Sequence, residues 1–222
     1  MQVSQLRQYE YVLVAGPDSI PFLQGQVTCD MTQLTDEHSL AGALCNLKGR
    51  VIGDFLCVRI AEGCLLQISG GNGQKIAVTL SKYAVFSKVK ITIHEGPCDT
   101  YGIVTNESPA LHELLPTPPS LSYRTATSNT ATIIKLAGTP SRFQLWVWDA
   151  VNAGSVAESL RVLSDNQTLE DSGHFDHAET LAGQAHVNAQ HSETFTPQLL
   201  NYDLSGVVNF QKGCYTGQEV VA

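Results

Sequence analysis

Positive charge is scarce in this 222-residue chain: 13 Lys and Arg stand against 21 Asp and Glu, a formal net charge of −8. Nucleic-acid binders draw much of their affinity from cations that neutralise phosphates. The balance therefore excludes holding RNA or an anionic membrane with the whole surface, and leaves room only for a local basic patch. Long hydrophobic runs are missing too. No apolar stretch approaches the ~20 residues needed to cross a bilayer, and the start, Met-Gln-Val-Ser-Gln-Leu-Arg-Gln, lacks the charged region and apolar run of a signal peptide. The six cysteines (Cys29, Cys45, Cys57, Cys64, Cys98, Cys214) include no Cys-x-x-Cys pair and no zinc-ribbon spacing. They read as reduced thiols of a cytoplasmic protein. Cys45, Cys57 and Cys64, set in apolar runs, read as small core filler. His174 and His177 stand at i, i+3 with only Asp176 beside them, so no metal site is expected.

What is there suits an ordered globular chain: 43% hydrophobic and 15% charged residues. Residues 9–15 are aromatic and β-branched, which predicts a strand. Gly16-Pro17-Asp18-Ser19 follows, with Asp18 or Ser19 as cap of a short helix through Phe22 and Leu23. Strand-like runs at 41–47, 51–60 and 64–68, parted by Lys48-Gly49 and Glu62-Gly63, predict an antiparallel meander. Ile76, Val78, Leu80, Tyr83, Ala84 and Val85 fall at mostly helical spacing. Strands are expected at 89–94, 100–105, 131–137 and 143–149, and helices at 110–115 and at 153–163, the latter capped by Asn152. Prolines 109, 116, 118 and 119 mark a polar connection, which places a boundary between a first module, 1–115, and a second, 116–222. Strands and helices mix without regular βαβ alternation, so the fold class is α+β.

Chemistry concentrates in Lys212-Gly213-Cys214-Tyr215-Thr216-Gly217-Gln218-Glu219. The two glycines permit left-handed backbone or a close approach. A helix or strand is expected from Gln218. Helix amides facing Cys214, with Lys212 nearby, would favour its thiolate. The other reading is a glycine-bounded turn around a buried thiol. Asp54, alone in an apolar strand, needs a partner unless it faces outward.

The octet at 212–219 resembles the signature of the YgfZ family, folate-binding proteins tied to iron–sulfur cluster assembly and tRNA modification. Three other stretches resemble family motifs: Leu23-Gln24-Gly25-Gln26-Val27-Thr28 with Asp30, Lys82-Tyr83-Ala84-Val85-Phe86-Ser87-Lys88-Val89, and Phe195-Thr196-Pro197-Gln198 with Asn201. The family is similar to the aminomethyltransferase of glycine cleavage. Its members continue past Gln-Glu-x-Val-Ala into a small β-barrel, so the chain is expected to be the folate-binding core without that barrel.

The resemblance implies a pocket for tetrahydrofolate or a one-carbon derivative. Tyr9 and Phe175 would line it, with Gln26, Lys48, Gln198, Asn201, Gln218 and Glu219 contributing and Arg50 a further candidate for the glutamate tail. Cys214, Lys212 and Asp54 would carry the chemistry. Two departures are visible. Leu181 stands where relatives carry an acid before Ala-Gly, with Glu179 the nearest carboxylate. Gly53 stands where aminomethyltransferases tend to carry one of a pair of acids, and Asp54 holds the other place. The implied role is a non-enzymatic folate-binding factor that serves iron–sulfur client enzymes, with no direct nucleic acid and no membrane. The alternatives are a folate-dependent aminomethyl or one-carbon transferase using Asp54, and an enzyme with Cys214 as nucleophile.

Overall fold

The computed structural model describes residues 1–105, 119–128, 130–164, 169 and 172–221. The strands are β1 (Gln2–Gln5), β2 (Tyr9–Ala15), β3 (Leu40–Cys45), β4 (Val51–Ile60), β5 (Gly63–Ser69), β6 (Lys90–His94), β7 (Asp99–Val104), β8 (Thr125–Thr127), β9 (Ala131–Lys135) and β10 (Arg142–Val147). The helices are α1 (Ser19–Gln24), α2 (Gly73–Tyr83), α3 (Ala150–Leu163), α4 (Gly173–Leu181) and α5 (Gln218–Val221). The expected helix at 110–115 and the expected boundary at 115/116 lie outside the described residues. By contact density the chain gathers into two compact units, each built from two stretches: Met1–Arg7 with Pro97–Gln184, and Gln8–Gly96 with Ala185–Ala222. Both are mixed α+β, and each contains one five-stranded antiparallel sheet.

In the first unit the sheet order is β1-β7-β10-β9-β8. Val3, Tyr101, Ile103, Ile133, Phe143, Leu145 and Leu160 of α3 form its core. Helix α3 begins at Ala150 rather than 153, because the Asp149 carboxylate accepts from the Val151 amide at 2.9 Å and takes the capping role expected of Asn152. Helix α4 packs on β1 and β7. A Cβ added to Gly102 of β7 would strike the Phe175 ring, so that glycine is what lets the buried ring lie on the strand.

In the second unit the order is β3-β4-β5-β2-β6. The β3-β4-β5 stretch is the antiparallel meander that its turn residues predict. Val12, Val14, Phe22, Leu23, Ile52, Phe55, Ile76 and Leu80 form one core, each buried side chain worth ~1.5–3 kcal/mol. Of the helically spaced set, Ile76 and Leu80 are buried while Val78 and Val85 are exposed. Asp18 does not cap α1: its carboxylate accepts from the Lys88 amide at 2.7 Å and ties the approach to β6 back to the start of α1. A second core joins Ala43, Cys45 and Val51 to Val187, Tyr202, Val207, Val208, Tyr215 and Val221. The C-terminal stretch therefore covers the β3-β4 corner. Residues 51–58 of β4 are all buried as a result, which is why the strand reads as an almost continuous apolar run. Cys45, Cys57 and Cys64 are core thiols, at 1%, 0% and 1% exposure.

Candidate functional site

The cysteine octet is held by its neighbours on both sides. Lys212 is buried, and its ammonium donates to the carbonyls of Gln24 at 2.7 Å, Val27 at 2.6 Å and Cys29 at 2.8 Å. An ammonium has three N–H groups, and all three are used. Burial pushes its pKa down to about 8, against the opposing pull of nearby Cys29 and Asp30. The ammonium also lies 5.1 Å from the Tyr215 ring centre. Its place in the structure is an anchor that joins the octet to the turn after α1. That turn is itself braced. Gln24 donates to Asp30 at 3.0 Å and accepts from the Met31 amide at 2.7 Å. Hydrogen bonds led by Thr32 hold the Asp30 carboxyl below its usual range. The Thr28 hydroxyl donates to the Val207 carbonyl at 2.7 Å and accepts from the Ala43 amide at 2.9 Å.

Cys214 is exposed. The reading of a buried thiol in a glycine turn is therefore excluded. Tyr215 beside it is buried, and the turn closes on local bonds. The Tyr215 amide donates to Gln218 Oε1 at 3.2 Å, and the Thr216 hydroxyl donates to Gln26 Oε1 at 3.0 Å. Gly217 sits at φ +84, where a Cβ would collide with the Asn46 carbonyl oxygen. The helix expected from Gln218 is the single turn α5, and Gln198 donates to the Val221 carbonyl there. Gln26, Gln198 and Gln218 thus all brace the octet. Glu219 and Asn201 are exposed, the latter left-handed at φ 56.

Lys48 is exposed in the turn between β3 and β4, where Asn46 Oδ1 accepts from the amides of Lys48 at 2.9 Å and Arg50 at 3.0 Å. Arg50 donates to the Thr194 carbonyl at 2.8 Å. Tyr9 is half-buried at the start of β2.

Asp54 is buried in β4, on the face opposite Phe55 and Cys57. Its Oδ1 accepts from the Val187 amide at 2.6 Å, and its Oδ2 lies 2.6 Å from His186 Nδ1. The outward-facing reading of this acid is excluded, and its partner is a histidine 132 residues away. The need for a partner is visible in the sequence, since an acid in an apolar strand demands one; which residue supplies it is not.

The first unit holds two of the residues singled out. Phe175 is fully buried. Glu179 is ion-paired at 3.0 Å with Arg142, itself fully buried, while Leu181 is 63% exposed. Among the described residues, no group of three or more His, Cys, Asp or Glu is placed to hold a metal, and no helix is long and apolar enough to cross a membrane.

Two antiparallel sheets with this order of elements define the class. The chain superposes on the glycine cleavage system aminomethyltransferase T from Bartonella henselae with a TM-score of 0.78 at 18% identity, covering 99% of this chain and 62% of that one. It also superposes on the heterotetrameric sarcosine oxidase from Corynebacterium sp. U-96 with a TM-score of 0.51 at 9% identity, over 76% of this chain. The fold is therefore that of an aminomethyltransferase. No protein-family model matches. In sequence the chain is 31% identical over 222 residues to the tRNA-modifying protein YgfZ of Pectobacterium carotovorum, covering 98% of this chain and 64% of the relative. It is 31% identical over 221 residues to the protein of the same name in Escherichia coli O157:H7, covering 65% of it. The chain is thus similar along nearly its whole length to proteins named tRNA-modifying protein YgfZ, and spans a little under two thirds of the length of these relatives.

Proposed function

We propose that the chain is the folate-binding core of a YgfZ-type accessory protein. It binds tetrahydrofolate or a one-carbon derivative in the cytoplasm and assists assembly or repair of iron–sulfur clusters in client enzymes, tRNA-modifying enzymes among them. The observation that carries this reading is the position of Cys214, exposed on a turn clamped by buried Lys212 on one side and buried Tyr215 on the other. A thiol held out on a rigid mount can ligate or attack. One thiolate holds iron only transiently, which suits a factor that serves clusters better than an enzyme that carries one. The likeness to proteins named tRNA-modifying protein YgfZ supports the same direction.

Bound folate would supply a carrier for a one-carbon unit. Its glutamate tail needs cations, and exposed Lys48 suits it, with Arg50 beside it in the turn. Its pterin edge needs an acceptor. The acid nearest the expected place, Glu179, is engaged by Arg142. Lys48 and Arg50 are candidate partners for the tail, and the pterin edge has no uncommitted carboxylate at that place. Binding is therefore expected to be weaker than in relatives that keep the acid.

The test is calorimetric titration with tetrahydrofolate of the wild-type chain and Cys214→Ala side by side. Saturable binding by both supports a preformed pocket with the thiol acting after binding. Absence of binding by both removes the folate reading of this chain. A transferase using Asp54 is the second reading, favoured by the burial of that acid inside an aminomethyltransferase fold. Consumption of tetrahydrofolate in the presence of an aminomethyl donor, lost in Asp54→Asn, would establish it.

A further inference from the structure

Positive charge is scarce in the chain, yet one stretch carries nothing else. From Gly63 to His94 there are four lysines, Lys75, Lys82, Lys88 and Lys90, and no acid. Lys75 is ion-paired with Glu193 at 2.6 Å. Among the described residues no carboxylate pairs with Lys82, Lys88 or Lys90, which are all exposed. Asp18 does reach this stretch, and its carboxylate accepts from the Lys88 amide at 2.7 Å. Large apolar side chains stand among the three cations. Phe86, in a short helical turn at 84–86, is 99% exposed, and Ile93 of β6 is 52% exposed.

The same stretch holds an open sheet edge. Strand β6 is the last of its sheet and pairs with β2 on one side only. On its other side, alternate amides and carbonyls have no backbone partner among the described residues. A groove of about 400 Å³ runs between α2 and β6. Ala77, Val78, Ser81 and Lys82 wall it from one face of the helix, and Ile91 and Ile93 line it from the strand. Successive side chains of a strand alternate faces, so Lys90 lies on the face opposite Ile91 and Ile93.

We propose that the β6 edge and this groove receive an extended acidic segment of another protein, which alternates apolar with acidic residues and adds to the sheet as a sixth strand. Main-chain bonds to β6 set its register. Its apolar side chains fill the groove against Val78, Ile91 and Ile93, and its acids lie on the other face beside Lys90. Lys82 on the groove wall and Lys88 ahead of the strand attract the segment, an effect that salt weakens. Other occupants suit the place less. A second copy of the chain would bring three more lysines against these three. Three cations neutralise few phosphates, and an aliphatic groove gives bases no ring on which to stack. A bilayer would leave the edge amides and carbonyls unsatisfied in hydrocarbon. The site stands on one unit and is independent of folate and of Cys214.

The test is fluorescence anisotropy of a short, end-blocked, labelled peptide that alternates Val and Glu, titrated with the full chain at low and high salt. Its controls are the Val–Lys counterpart and two versions N-methylated at the Val or at the Glu amides, each of which blocks one edge of the peptide. The expected result is saturable binding of the Val–Glu peptide, weakened by salt, lost when one edge is N-methylated and absent for the Val–Lys peptide. Lys90→Glu should weaken it about three- to tenfold, since a cross-strand attraction becomes a repulsion. Val78→Ser leaves the charge alone and should weaken it about two- to threefold through the groove. Both positions are exposed, and far-ultraviolet circular dichroism checks that both variants fold. Lysines that only guard the edge give a different result: the peptide does not bind, and Lys90→Ala makes the chain self-associate in sedimentation velocity. That outcome overturns the proposal. So does binding indifferent to N-methylation and to Val78→Ser, which is charge attraction alone. Binding of an oligouridylate or of phosphatidylglycerol vesicles in place of the peptide, lost in Lys90→Glu, overturns it as well.

Discussion

The ammonium of Lys212 donates to the carbonyl of Cys29 at 2.8 Å across 183 residues of sequence. Together with the bonds to Gln24 and Val27, this joins the two most distinctive motifs of the chain into one structure. Standing two residues from Cys214, Lys212 invites a chemical role. All three of its protons are bound elsewhere, so it acts by holding the turn in place.

Replacing Lys212 by Met keeps much of the buried stem and removes the donor. Three carbonyls then lose their partner, each costing up to a few kcal/mol when buried. The expected loss is about 3–5 kcal/mol of unfolding free energy, read from urea transitions followed by far-ultraviolet circular dichroism. A change under about 0.5 kcal/mol would mean that water or a relaxed loop satisfies the carbonyls, and the anchoring role would fall.

Alkali should destabilise the chain from about pH 9 upward. Burial raises the Cys29 and Cys45 thiols from 9.0 to about 12 in the folded protein. The unfolded chain releases those protons near pH 9 and the folded one keeps them. The stability they contribute is thus complete below pH 9 and lost as pH rises towards 12, at about 1.4 kcal/mol per thiol per pH unit. Burial of Lys212 works in the opposite sense between about 8 and 10.5, since the unfolded chain holds that proton longer. One amine offsets one thiol, and Cys57, also raised, adds to the fall. The urea midpoint should therefore drop between pH 9 and 10.5, and faster beyond. Substituting Cys29 and Cys45 by Ala should flatten the slope, and a midpoint that holds to pH 11 would contradict the assignment.

Local pattern revealed the parts and concealed their assembly. The meander is readable because Lys48-Gly49 and Glu62-Gly63 break three largely apolar runs at hairpin spacing, and neighbouring strands in sequence are neighbours in the sheet. Strand β1 is not, since four residues carry too little period to read. Its partner β7 lies about a hundred positions on. The same holds at the site. Asp54 announces a need for a partner through its apolar surroundings, while His186 carries no spacing signal. Arg142 stands just outside the strand expected at 143–149, with nothing in its neighbours to mark it, and is fully buried. Long-range pairing sets these roles, and composition alone does not encode it.

Gly217→Ala should unseat the cysteine turn. The residue sits at φ +84, where an L side chain is strained by ~1–2 kcal/mol. The new methyl would also collide with the Asn46 carbonyl oxygen, so the turn must move. The expected cost is about 2–4 kcal/mol, together with a changed rate of Cys214 alkylation by iodoacetamide. Gly213→Ala is the control, because its added Cβ would meet nothing within 4 Å. Equal effects at both glycines would show that the contact with Asn46 does not set the turn.

Both tryptophans of the chain, Trp146 and Trp148, lie in the first unit, so their fluorescence reports that unit selectively. There Arg142 and Glu179 form an ion pair at 3.0 Å at 0% and 8% side-chain exposure. Arg142 also donates to the Ala178 carbonyl at 3.2 Å and to the Ala137 carbonyl. Arg142→Met leaves a buried carboxylate and two carbonyls without their cation, and Glu179→Leu leaves a buried guanidinium. Each is expected to cost about 3–5 kcal/mol. The double variant removes both charges and should recover at least half of the summed loss, because a buried pair exchanged for apolar groups of similar volume is often near neutral. Tryptophan-monitored urea unfolding of the four proteins gives the cycle. Additive losses would mean that the two charges are satisfied independently and that the pair does not act as a unit.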